Sequence, residues 1–71
     1  MTYEDCVRLF DVVVRGGVEE LRLDNHLYIP VADFLERFAG VECTYESLKQ
    51  HSNSTPGWCA IWERLHKDGK L

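Results

Sequence analysis

The chain has 71 residues, 45% of them hydrophobic, and a net charge of −4, enough for one compact domain over residues 1–71 whose core sits near the lower limit of self-sufficiency. Two Trp, three Phe and three Tyr argue against a disordered chain. Residues 1–47 hold ten acids and four arginines, net −6, whereas residues 48–71 hold four bases and two acids, net +2, an imbalance that bears on partners and association rates rather than on chemistry.

Thr2 is placed to cap a first helix, with Asp5 three residues on as the acid of a capping box. Tyr3, Cys6, Val7, Phe10, Val13 and Val14 follow at helical spacing, so the helix is expected to run through Val14 to the Gly16-Gly17 stop. The valine triplet weakens that helix, because β-branched side chains lose rotamer freedom in it. Over residues 18–31 the period changes to two. Leu21 and Leu23 alternate with Glu20 and Arg22, and Leu27, Ile29 and Val31 alternate with Tyr28 and Pro30. Asp24-Asn25-His26 between them is turn chemistry, which predicts a short hairpin whose second strand ends at Pro30.

Pro30 also suits the first turn of a second helix, with Val31, Phe34, Leu35 and Phe38 inward and Gly40 as its end. A third, short helix is expected after Thr44 with Tyr45 and Leu48 inward, then a polar loop, His51-Ser52-Asn53-Ser54. Thr55-Pro56 opens a last helix. Its Trp58, Ile61, Trp62 and Leu65 form the clearest amphipathic stripe in the chain, and Gly69 ends it. The order helix, short β-hairpin, three helices predicts a small α+β domain. The alternative is a mainly α, winged-helix-like chain with residues 18–29 irregular.

Cys6, Cys43 and Cys59 are too few and too scattered for a disulfide scaffold, which predicts reduced thiols in an intracellular protein. The acidic start lacks the basic region of a signal peptide, and Val12-Val13-Val14 is far short of a membrane span. The expectation is a cytoplasmic protein with no membrane contact.

Little chemistry is written into the residues. Cys6, Cys43, Cys59, His26, His51 and His66 contain no CxxC or HxxxH pair. Cys59, Glu63 and His66 share one helical face, but Cys59 and His66 lie about 10 Å apart along the axis at ~1.5 Å per residue, too far for a thiol–imidazole pair. No nucleophile elbow, phosphate loop or dinucleotide fingerprint occurs. The chain is therefore expected to carry no catalytic residue, no metal and no cofactor, and not to be an enzyme.

Two binding readings remain. In the first, a helix over residues 31–39 and the helix after Thr44 form a helix-turn-helix that presents Lys49, Gln50 and Asn53 to base edges, with Arg64, Lys67 and Lys70 on phosphates. Glu36, Glu46 and Lys49 fall where that motif needs small or apolar residues, and the net charge opposes a polyanion. The run Phe34-Leu-Glu-Arg-Phe-Ala-Gly40 followed by Tyr45-x-x-Leu48 resembles the central stretch of LOTUS (OST-HTH) domains, over about a fifth of the chain. That resemblance implies a winged-helix module that binds RNA or a helicase partner. The Gly-aromatic pair expected after Leu48 is replaced here by Lys49-Gln50.

In the second reading the acids are the interaction surface. Glu19, Glu20, Asp24, Asp33 and Glu36 would supply attraction to a basic protein partner, and Tyr28 with Trp58 or Trp62 would supply aromatic anchors. In size and charge the chain is similar to the compact acidic proteins with which phages block host complexes, anti-CRISPR proteins among them. That likeness implies a non-enzymatic inhibitor that occludes a basic nucleic-acid-binding surface, and this is the leading expectation. A homodimer is plausible under either reading, because so small a core gains from burying a Trp-bearing face.

Overall fold

In a computed structural model, residues 1–52 and 55–71 are described. They form four helices and a three-stranded antiparallel sheet, an α+β architecture. The chain divides into two compact units, Met1–Ala39 and Gly40–Leu71.

The first unit begins with α1 (Tyr3–Leu9), closed by the expected capping box: Thr2 Oγ1 accepts from the Asp5 amide and the Asp5 carboxylate accepts from the Thr2 amide. The helix does not reach Val14. Phe10 is its extended C-cap, and Asp11–Arg15 is a strand, β1. Three consecutive valines fit a pleated, half-buried surface better than a helix, and strand pairing supplies backbone partners that a helix face would not. Gly16-Gly17 is therefore a hairpin turn and not a helix stop. Both residues have positive φ, 59° and 80°, as a two-residue turn of the primed type demands. Tyr3 and Val7, expected inward, are exposed.

Strand β2 (Val18–Arg22) pairs with β1 so that Val13 faces Glu20 and Asp11 faces Arg22. Strand β3 (Tyr28–Pro30) pairs with the other edge of β2, giving the order β1-β2-β3. This second hairpin is the one the period-two pattern predicted. The Asp24 carboxylate accepts from the His26 amide at 2.8 Å, and the Leu23 amide donates to Leu27 at 2.8 Å across the turn. Helix α2 (Val31–Arg37) follows directly, with Val31 and Phe34 buried on its inner stripe. Leu21 on β2 is fully buried, as are Cys6, Leu9 and Phe34, and Phe10 and Phe38 are buried too. Phe34 meets Phe10 edge-on at 5.8 Å and stacks on Phe38 at 4.7 Å, the arrangements that ring quadrupoles favour.

The second unit is an antiparallel helical hairpin. Helix α3 (Tyr45–His51) is capped by Thr44, whose Oγ1 accepts from the Ser47 amide, and α4 (Pro56–Lys67) starts with Pro56 at its first turn. Thr55 holds the N-cap position but makes no side-chain cap bond. Asn53 and Ser54, the rest of the expected polar loop, lie outside the described residues. So does the base-reading role expected of Asn53. Ile61, Trp62 and Leu65 on α4 are buried, as the amphipathic stripe predicted, and so is Leu48 on α3. Gly69, at φ 81°, closes α4 with bonds from its amide to His66 and from the Lys70 amide to Leu65, a Schellman motif.

Candidate partner-binding surface

Alternation along the sheet decides where the expected acidic residues lie. Cross-strand partners share a face, and successive residues take opposite faces. Val12, Val14, Glu19, Leu21 and Ile29 are on the face that carries the buried Leu21. Asp11, Val13, Arg15, Glu20, Arg22 and Tyr28 are on the other. Glu19 and Glu20 therefore do not form a pair of attracting charges. Glu19 accepts a hydrogen bond from the Tyr3 hydroxyl, and that bond holds the phenol above its ordinary pKa. Glu20, on the outer face, has Arg15 Nε 3.2 Å from its Oε1, and its side chain is 18% exposed. That oxygen has a charge partner but no well-aligned hydrogen bond among the described residues.

The outer face is an ion-pair lattice rather than an acidic patch. Arg22 bridges to Asp11 across β1 and β2. The Arg15 guanidinium lies 4.4 Å from the Tyr28 ring centroid while it also meets Glu20. Tyr28 is half-buried under that arginine, so its ring is partly available as an anchor. Asp24 stays exposed, with one carboxylate oxygen closing the turn.

Asp33 and Glu36 differ from the other three. They sit one turn apart on α2, both exposed, and with Arg37 they line a surface depression. Of the five expected acids, these two share a helical face and have no ion pair among the described residues.

The two tryptophans separate. Trp62 is fully buried, and its indole N–H donates to Ser52 Oγ at 3.2 Å. It is a core residue and not an anchor, because a side chain with no exposed surface cannot reach a partner. Trp58 stacks on it at 5.4 Å and is half-buried, which leaves Trp58 as the aromatic candidate of this unit.

Lys49, Gln50, Arg64 and Lys67, the residues of the nucleic-acid reading, are all in the second unit. Lys49 bonds Glu63 at 3.3 Å and lies 5.2 Å from the Tyr45 ring centroid. Hydrogen bonding to Tyr45 and then to Glu63 raises its pKa. Gln50, Arg64 and Lys67 are exposed. This unit has four acids and four bases, so the whole acidic excess belongs to residues 1–39.

Cys59 and His66 have separate engagements. The Cys59 thiol donates to the Ser52 carbonyl at 3.4 Å, and His66 stacks on Tyr45 at 4.1 Å with Nδ1 3.1 Å from the Leu71 carbonyl oxygen. Among the described residues no three His, Cys, Asp or Glu side chains gather as a metal site. Nor is any helix there long and apolar enough to cross a membrane.

These features define a small α+β domain with an ion-paired sheet face and an acidic helix. The chain is 39% identical to the SPbeta prophage-derived uncharacterized protein YomT of Bacillus subtilis (strain 168), over 97% of its own length and 96% of the relative's. It belongs to the YomT family. No family model and no solved structure matches it.

Proposed function

We propose that this protein is a non-enzymatic regulatory binder that docks on a protein partner with a basic surface and occludes it. The observation that carries this reading is the location of uncompensated charge. Residues 1–39 hold eight acids, and Arg8, Arg15 and Arg22 each pair with a carboxylate of the same unit. Five carboxylates remain, Glu4, Glu19, Asp24, Asp33 and Glu36, and of these Asp33 and Glu36 are neighbours, exposed one turn apart on α2 beside Arg37. Carboxylates so placed steer encounter and set orientation. The prophage origin of YomT supports a phage setting, in which the occluded surface is one that a host protein uses for nucleic acid.

Tagged protein captured from native lysate, with and without nuclease, tests the reading. The expected result is a stoichiometric protein partner that survives nuclease. It should be lost with the pair Asp33→Lys and Glu36→Lys and kept with Lys49→Glu and Lys67→Glu. Recovery of nucleic acid, or loss of every partner after nuclease, overturns the reading in favour of the winged-helix-like one.

A further inference from the structure

The sheet has two edges, and only one is blunted. Leu23 donates to Leu27, so the odd-numbered residues of the β2 segment bond toward β3 and the even-numbered ones toward β1. Asp11, Val13 and Arg15 therefore bond inward to β2, and the amides and carbonyls of Val12 and Val14 point out of the sheet. Among the described residues no group bonds them. On the opposite edge the outward residues are Tyr28 and Pro30. Pro30 has no N–H, and β3 is three residues long, both recognised ways of closing an edge to further pairing. β1 has neither protection. It is a five-residue strand with three valines, and Val14 is 68% exposed.

We infer that the free edge of β1 pairs with β1 of a second copy, antiparallel about Val13, to make one continuous six-stranded sheet. The segment Asp11-Val-Val-Val-Arg15 is complementary to its own reversed copy. In this register Val12 faces Val14 of the other copy as a hydrogen-bonded pair, twice, and every outward group of the two central strands finds a partner. Val13 meets its counterpart on the outer face. Asp11 faces Arg15 of the other copy, also twice and on that same face. Each Asp11 then lies between its own Arg22 and the second chain's Arg15, and a carboxylate accepts from both. A shift of two residues in either direction breaks both charge pairings, so the charges select the register as well as the orientation. The two-fold axis makes the contact closed, which limits assembly to a dimer. This inference is independent of the acidic α2 surface.

Sedimentation equilibrium over a concentration series reads the assembly directly. The expected result is a mass that rises to twice that of the chain. Asp11→Arg alone and Arg15→Asp alone should each weaken self-association at least about tenfold, because like charges then face each other. An equimolar mixture of the two variants should recover the dimer, since the two arginines of one chain face the two aspartates of the other. Val14→Pro removes one outward N–H per copy, leaves the hairpin's own bonds intact, and should also cost at least about tenfold. A wild-type chain that stays monomeric to about 1 mM overturns the inference. So does a dimer that Val14→Pro leaves unchanged, or a mixture that fails to recover. Should a charge reversal unfold the hairpin, amide exchange in the wild-type chain decides. Val12 and Val14 should be protected at high and not at low protein concentration, and equal protection at both overturns the proposal.

Discussion

Residues 1–39 and residues 40–71 use their polar groups differently. In the first unit three arginines are held by carboxylates of the same unit, two of them across strands on the outer face of the sheet. In the second, the exposed Lys49–Glu63 ion pair and a buried bond from the Trp62 indole to Ser52 are among the polar contacts that join α3 and α4. The Arg22–Asp11 pair is exposed and contributes little energy, while Arg15 meets a Glu20 carboxylate that is 18% exposed; both pairs fit only one register, because a slip of one residue sends each charge to the other face. The helical pair needs no such device. Large aromatic side chains at helical spacing fix which faces meet, and the polar bonds satisfy groups that packing has already placed. Charge in this protein thus serves specificity where the backbone could slide, and apolar volume serves it where the backbone is rigid.

The sharpest way to break this contrast is to remove volume from the helical unit. Trp62→Ala deletes a fully buried indole and orphans the buried Ser52 hydroxyl, and should cost about 3–5 kcal/mol in urea denaturation. A chain of this length has roughly 4–10 kcal/mol in all, so loss of helical circular dichroism at 25 °C is the expected outcome for the more marginal case. Trp58→Ala, which removes a half-buried ring, should cost less than half as much. Equal costs would show that the stack, and not burial, holds the helices together.

The next effect tests the strand unit, where backbone geometry matters more than volume. Gly16 and Gly17 both have positive φ, so Gly17→Ala should destabilise the hairpin by about 1–2 kcal/mol. Gly16→Asn should be nearly neutral, because Asn followed by Gly suits a turn with both central residues left-handed. The pair can be read from thermal midpoints. It also separates a hairpin turn from a helix stop, since the stop expected from sequence would not single out Asn followed by Gly.

A smaller effect lies at the start of α1. Thr2→Ala removes the acceptor for the Asp5 amide and should cost about 1 kcal/mol. The Asp5 carboxylate is held below its usual pKa by the Thr2 backbone amide first, then by the Thr2 hydroxyl and by Arg8. A lowered folded-state pKa stabilises the protein above the unfolded value of about 3.9 and is lost as pH falls through the folded value. Asp5→Asn should therefore flatten the stability profile below about pH 4 and leave its slope near neutrality unchanged.

The same contrast between units governs what could be read from residues alone. Local signals with one physical meaning were legible: the Thr2–Asp5 box, the Asp24 turn, Pro30 between strand and helix, and the Trp58, Ile61, Trp62, Leu65 stripe. The valine triplet was not, because three adjacent apolar residues satisfy a period of 3.6 as well as a period of two, and only pairing with β2 decides between them. The candidate surface was less legible still. Glu19 and Glu20 are neighbours in the chain and opposites in the sheet, so a cluster in sequence becomes two separate contacts in space. Which acid is neutralised by which arginine follows from strand register, and register is not written in composition. The free edge of β1 was invisible for the same reason, since it exists only once Val12–Val14 is a strand. Trp58 and Trp62 lie on one stripe, and nothing in their spacing says that Trp62 is buried and bonded to Ser52 while Trp58 stays half-buried.

The smallest expected effect is also the cleanest test of the helical unit. Lys49 touches Glu63 and the Tyr45 ring, yet all three groups keep solvent access, and exposed pairs of this kind gain little against side-chain entropy and salt. Its pKa is raised, by Tyr45 first and Glu63 second. A raised folded-state value gives stability that is fully present below the unfolded lysine pKa of about 10.4 and fades as pH climbs through the folded one. Lys49→Met keeps the apolar stem over Tyr45 and removes only the charge. Its denaturation midpoint should match wild type near neutrality within error and should lose the wild-type decline above about pH 10 that this group causes. A clear loss at pH 7 would mean that the Lys49–Glu63 bridge, rather than the tryptophan core, sets the alignment of α3 and α4, and would remove the distinction between the two units from which the other predictions start.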